Sequence, residues 1–199
     1  MPAIAITGTI GSGKSMVLSS LGQLLPSTIY SADLENRKLL DTDAEVRALI
    51  RSAFGDSYFD GQGNPDKKRL FQLITSDESA KNLLEGILHP RLEKIWKPLA
   101  QKAKGTKNDY FIAELPLLYE KSLEQFFDRT ILVACSESVR KERLNLNRRL
   151  SHQETSAWLK NQTPQDKKII LADHLLWNDA STSVLELQIR QVLPLLKNL

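Results

Sequence analysis

The amino-acid sequence predicts an α/β fold, a five-stranded parallel sheet with helices on both faces. Short apolar runs alternate with longer segments whose apolar residues recur at helical spacing, and strands separated by helices pair in parallel. The first apolar run leads into a glycine-rich segment and then a helical pattern, so the segment between them meets a helix N-terminus. At 199 residues, 41% hydrophobic and 26% charged, the chain suits one domain over 1–199 with a core and a hydrated surface.

The elements follow in order. Ala3-Ile4-Ala5-Ile6 reads as a buried strand, and Val17, Leu18, Leu21, Leu24 and Leu25 mark the apolar face of a helix. Thr28 to Ser31 reads as a second strand running into Ala32-Asp33, with helices from Leu34 to Leu40 and from Ala44 to Phe54. Gly55 to Pro65 is turn-rich and is expected to be an exposed loop. Asp66 to Lys104 is again helical, with an interruption at His89-Pro90, where proline biases the preceding residue out of helix. Gly105 stops it. Tyr110 to Ala113, Thr130 to Cys135 and His174 to Trp177 read as the remaining strands. The helical run between the second and third strands is read as an insertion over about 60–105. Ser151-His152-Gln153-Glu154 fits a capping box, and Thr163-Pro164 reads as a capping Thr with Pro at the first helical position.

The segment from Gly8 to Met16, GTIGSGKSM, fits G-x-x-x-x-G-K-[ST]. Gly8 and Gly13 permit backbone conformations in which successive N–H groups converge on an anion. Lys14 would set a point charge against the β- and γ-phosphates, and the Ser15 hydroxyl would ligate Mg²⁺. Gly8, Ile10, Gly11, Ser12, Gly13, Lys14, Ser15 and Met16 are therefore the candidate nucleotide-holding residues, with ATP as the nucleotide. A glycine-rich turn without a ligand is the competing interpretation, and the agreement of motif, strand and helix weighs against it.

A net charge of +3 favours polyanionic small molecules but lacks the dense basic stripe that nucleic acid requires. The single cysteine, Cys135, forms no internal disulfide and sits in an apolar run, as a buried strand thiol in a reducing compartment would. No apolar segment approaches membrane-spanning length and the N-terminus enters a strand at once, so a cytoplasmic location is expected.

Such a loop fixes a nucleotide and not a reaction. A kinase also needs a base at the acceptor and positive charge over the transferred oxygens. Asp33 ends the second strand, beside the first if consecutive elements are neighbours; it reads as that base and as an N-cap on the following helix, roles that one residue can combine. Glu114, ending the third strand, is either a Mg²⁺ partner through water or an ordinary strand-end acid. The basic segment with Arg140, Lys141, Arg143, Arg148 and Arg149 reads equally as a solvated helix face or as a charged lid.

In sequence order come GTIGSGKS; Ala32, Asp33 and Arg37; Ile87-Leu88-His89-Pro90; Glu114-Leu115-Pro116-Leu117-Leu118-Tyr119-Glu120; SESVRKER; Gln162; Ala172-Asp173; and Asn178. Together they resemble the dephospho-coenzyme A kinases, which phosphorylate the ribose 3′-hydroxyl of dephospho-CoA. The resemblance spans nearly the whole chain. It implies a helical insertion that binds the acceptor and a helical lid over about 140–165. It also implies ATP with Mg²⁺, dephospho-CoA as a small-molecule partner, no nucleic acid or membrane, and a monomer or weak homo-oligomer. By position it makes Asp33 the base, and Lys14 and Ser15 the phosphate and Mg²⁺ ligands. Thr7, Arg37, His89 and Leu117 fall on substrate-binding positions, Thr7 near the phosphates. Arg143 falls on a lid arginine and Asn178 near the adenine end. The chain departs from the family at Thr9, often Gly; Met16, often Thr; Ser31, often acidic; and Asn147 and Trp158, where arginines are expected.

Two other functions fit the loop. One is a kinase for another small acceptor, such as a nucleoside. The other is a nucleotide-regulated switch or a degenerate kinase that binds without turnover; no N-K-x-D guanine-reading motif is present for a switch.

Overall fold

The computed structural model describes residues 2–103, 109–148 and 163–197, without the side chains of 147 and 148. The expected capping box at 151–154, the Arg149 and Trp158 positions and the Arg148 side chain lie outside it. The chain forms two compact units, Met1–Ser31 with Trp96–Leu199, and Ala32–Ile95. The second opens well before the insertion read from sequence at about 60–105.

The first unit is built on five parallel strands: β1 (Ala3–Thr7), β2 (Ser27–Ser31), β3 (Tyr110–Glu114), β4 (Arg129–Ala134) and β5 (His174–Trp177). Their order is β2-β3-β1-β4-β5, so β3 separates β2 from β1 and the neighbour rule fails here. Burial explains the arrangement. Every residue of β1 and β3 is buried, which suits central strands, whereas Thr28 and Ile29 of β2 are exposed, as an edge strand permits. In this register Ser31 lies opposite Glu114, and Ile6 opposite Glu114 on the other side.

Helix α1 (Lys14–Leu24) lays Val17, Leu18 and Leu21 on Ile4, Ile6, Ile112 and Val133. Leu185, Ile189 and Leu196 of the C-terminal helix α8 (Thr182–Lys197) complete this cluster. A separate aromatic stack joins Trp96 to Phe126 and Phe127, each at 5.5 Å between ring centroids, and Phe127 to Phe111 at 6.4 Å. β5 is the far edge of the sheet. There the Gln188 amide closes on the strand backbone, accepting from Trp177 N–H at 2.8 Å and donating to Trp177 C=O at 2.9 Å.

The second unit holds α2 (Ala32–Thr42), α3 (Ala44–Phe54), a short 3₁₀ turn (Asp56–Tyr58), α4 (Lys67–Ser76) and the first part of α5 (Glu78–Ala103). Val46, Ile50, Phe59, Leu70, Leu84, Ile87 and Leu88 form its core. Three aspartates punctuate it. Asp43 accepts from Val46 N–H at 3.0 Å, Asp66 from Lys68 and Arg69 N–H, and Asp77 from Ser79 and Ala80 N–H at 2.8 and 3.1 Å. The helical run therefore breaks at Asp77, and α5 continues through His89-Pro90, where an interruption was expected. A mid-helix proline costs about 3 kcal/mol. Burial of Ile87 and Leu88 before it and of Leu92 and Trp96 after it opposes that cost, and Arg91 Nη1 donates to the Ile87 carbonyl at 2.9 Å.

Two helices remain in the first unit, α6 (Glu137–Arg148) and α7 (Gln165–Leu171). Pro164 is the extended cap of α7 and makes no side-chain capping bond, so the expected Thr163 cap is absent. Gln165 instead exchanges two bonds with the Cys135 backbone, at 3.1 and 3.3 Å.

Trp96 is 1% exposed. Trp96→Ala should lower unfolding free energy by about 3–5 kcal/mol, read by urea denaturation with an unchanged m-value.

Candidate active site

The glycine loop folds as its residue types require. Gly13, at φ +100°, precedes α1, and a Cβ there would strike the Asn178 side-chain amide; one on Gly8 would strike the Val133 carbonyl. Asn178 holds the loop in return, its Nδ2 donating to Ser12 C=O at 2.8 Å and its N–H to Ala134 C=O at 2.7 Å. Asn178 thus ties the loop to the ends of β4 and β5. Lys14 is buried and its Nζ donates to Thr9 C=O at 3.1 Å, which aims the ammonium back over the loop. Ile10 is buried, Met16 is exposed, and Gly11 packs against Arg140 and Leu144 of α6. The Ser12 hydroxyl is buried with no partner among the described residues.

Beside the loop, Glu114 carries a carboxylate that is 1% exposed. Ser15 Oγ donates toward its two oxygens at 3.1 and 3.2 Å, and Ser31 Oγ donates to Oε2 at 3.0 Å. Among the described residues no Lys, Arg or His forms an ion pair with it. Carboxylate and hydroxyl oxygens are the donors that Mg²⁺ takes, and a buried carboxylate without a cation calls for one. The residues present therefore fit the ion. Ser31, where the resembling family often has an acid, here serves as a neutral donor to Glu114.

Helix α6 divides the basic segment by face. Lys141 is exposed and pairs with Glu137 at 2.6 Å, as a solvated charge does. Arg140 and Arg143, three apart, turn to the loop. Arg140 Nη1 donates to Thr9 Oγ1 at 3.1 Å and Arg143 Nη2 reaches Asn178 Oδ1 at 3.5 Å. Arg140 Nε and Arg143 Nη1 are buried without partners among the described residues, so both guanidiniums keep unused donors. Their field is felt at Cys135. Burial pushes that thiol up, while Arg143, Arg140 and Lys14 pull it the other way. It remains a raised, inert thiol.

The acceptor candidates divide between the units. Thr7 is buried and its hydroxyl donates to Pro116 C=O at 3.4 Å, next to the half-buried Leu117. Asp33, Arg37 and His89 belong to the second unit. Because α2 begins at Ala32, Asp33 stands inside the first turn, two residues beyond Ser31, and is not the helix cap. Arg37 is exposed one turn later, and His89 Nδ1 lies 3.9 Å from Glu85 on α5.

Sequence reasoning named Arg140 only as part of the basic segment and Thr9 and Ser31 only as departures from the family, and gave none of them a partner in the site. The i, i+3 spacing of Arg140 and Arg143 in a helix following a central strand was the available signal for the first; the other two are visible only through their partners.

The family described as CoaE, dephospho-CoA kinase, matches residues 2–183. A dephospho-CoA kinase of Nitrosomonas europaea is 31% identical over 190 residues, covering 95% of this chain and 92% of that one. A crystal structure of a Thermus thermophilus protein is 29% identical, with a TM-score of 0.74, covering 98% of this chain and 97% of that one. A dephospho-CoA kinase from Campylobacter jejuni, 23% identical with a TM-score of 0.66 over 98% of this chain and 97% of that one, shares the fold. With a match over nearly its full length and a loop, buried carboxylate and paired arginines in the first unit, this chain belongs to the dephospho-CoA kinase family.

Proposed function

We propose that this chain transfers the γ-phosphoryl group of ATP to the ribose 3′-hydroxyl of dephospho-CoA, yielding CoA and ADP. The observation that carries it is the buried Glu114 carboxylate bonded to Ser15 at the edge of a glycine loop, in a chain of this family. The new bond joins O3′ to phosphorus, and the bond between phosphorus and the bridging oxygen of ADP breaks. The loop N–H groups and Lys14 bind the β- and γ-phosphates and hold them in line. Asp33 accepts the hydroxyl proton and releases it to water. Arg143 and Arg140 direct their unused N–H donors at charge that grows on the transferred oxygens. Ser15 and Glu114 would hold Mg²⁺, which when bound neutralises phosphate charge. Thr7, Arg37, His89 and Leu117 contact the acceptor, and Asn178 keeps the loop in shape at the adenine end. We place the reaction in the cytoplasm, in keeping with the single buried thiol.

Release of ADP with dephospho-CoA, against a panel of nucleosides, tests the acceptor: preference for a nucleoside, or binding of ATP without turnover, would sink the proposal. Lys14→Ala should lower kcat by roughly 10²–10³. Asp33→Asn should lower it by roughly 10²–10⁴ with ATP affinity unchanged, measured by titration calorimetry. If Asp33→Asn loses stability but keeps normal turnover per folded molecule, the base is elsewhere. Arg143→Ala and Arg140→Ala should each cut kcat more than they raise KM for ATP, and the double variant should lose less than the product of the two. Small effects abolished by moderate salt would mark both as surface charges.

A further inference from the structure

Lys168, on α7, has a side chain that is 0% exposed, a placement lysine rarely takes without a partner. Its Nζ lies 2.8 Å from Glu120 Oε1 and donates to Pro116 C=O at 3.3 Å. The same Glu120 oxygen accepts Thr163 N–H at 3.0 Å, while Oε2 is buried with no partner among the described residues. Burial pushes the Glu120 carboxyl up, but Lys168 more than offsets this and holds it below its ordinary value. A well-packed neutral pair is often as stable as a buried ion pair or more so, so stability alone does not account for these charges. What the ammonium reaches beyond Glu120 is the Pro116 carbonyl, which also accepts the Thr7 hydroxyl. Thr7 directly precedes Gly8, and Pro116 stands between Glu114 and Leu117. Leu115 N–H adds a bond to Ile6 C=O at 2.9 Å. One carbonyl therefore joins the ends of β1 and β3 where each turns into the site.

We propose that Lys168 is a positioning residue for phosphoryl transfer: held by Glu120, its ammonium fixes the Pro116 carbonyl and thereby the turn carrying Glu114 and Leu117. The proposal rests on the kinase function put forward above. Lys168 touches neither reacting atom; it acts through the backbone of another segment. A carbonyl so fixed limits how far Glu114 can shift against Ser15, and misplacement by about 1 Å is enough to cost a large factor in rate.

The test compares wild type, Lys168→Met, Glu120→Gln and the Lys168→Met/Glu120→Gln double variant for Tm, and for kcat and KM with both substrates. All kinetics are run where circular dichroism shows each variant folded. Lys168→Met strands the Glu120 charge, so its Tm should fall by on the order of 10 °C. The double variant carries no charge at this buried pair and keeps an acceptor for Thr163 N–H, so it should regain most of that loss. Its kcat should nevertheless stay roughly 10–100-fold below wild type, since the ammonium donor to Pro116 is gone and only the longer Thr7 hydroxyl bond at 3.4 Å remains. Glu120→Gln keeps Lys168 with an oxygen acceptor and should retain more kcat than the double variant. Recovery of kcat in step with Tm in the double variant overturns the positioning role. So does a double variant that cannot fold, which would make the pair a requirement of folding. A wild-type protein that fails to phosphorylate dephospho-CoA overturns the proposed function instead, a separate result.

Discussion

The site depends on one carboxylate held in a place nearly closed to water. Transfer of a bare carboxylate into a medium of low polarity is prohibitive, so Glu114 must be met by donors or a cation. Two serine hydroxyls meet it, one from α1 and one from the edge strand. Hydroxyls satisfy lone pairs without cancelling charge, so a buried negative potential survives next to a loop designed for anions. Carboxylate and hydroxyl oxygens set beside such a loop fit the divalent cation proposed above. The order of the sheet follows the same need: β3 lies between β1 and β2, and so its last residue can face both serines.

Positive charge is distributed around this carboxylate in a complementary way. Lys14, Arg140 and Arg143 come from the loop and from the helix after β4, and each is anchored by an uncharged oxygen of the loop or of Asn178. For Arg140 and Arg143, anchoring by neutral acceptors leaves a buried N–H on each guanidinium without a partner among the described residues. Had carboxylates held them, their fields would be spent within the protein, and an anion would have to compete for them.

Much of this was legible in the chain. The β1–loop–α1 unit reads directly, because glycine spacing, an apolar run and a helical repeat coincide there. β5 and α3 were legible to the residue, since turn residues bound them sharply. Strand order was not, because periodicity reports which face is buried and says nothing of which strand lies alongside. Nor was the Glu114 hub, whose partners Ser15 and Ser31 lie 99 and 83 residues away in sequence. The continuous α5 defied a sound local rule: the bias before proline is real, but burial on both sides of Pro90 outweighs it. Arg140 hid within a charge run whose composition is that of any wet helix face; only its side-chain direction separates it from Lys141.

The Gln188 amide on β5 has a meaning for the sheet as a whole. A terminal strand presents unmet donors and acceptors, and any extended segment with matching spacing can extend the sheet from there. Leu175 and Trp177 would make this edge adhesive, since both are apolar and exposed. By offering a primary amide to both backbone groups of Trp177, Gln188 imitates the contact that an added strand would make, and then ends it. The sheet is stopped by a mimic of its own continuation, one side chain long.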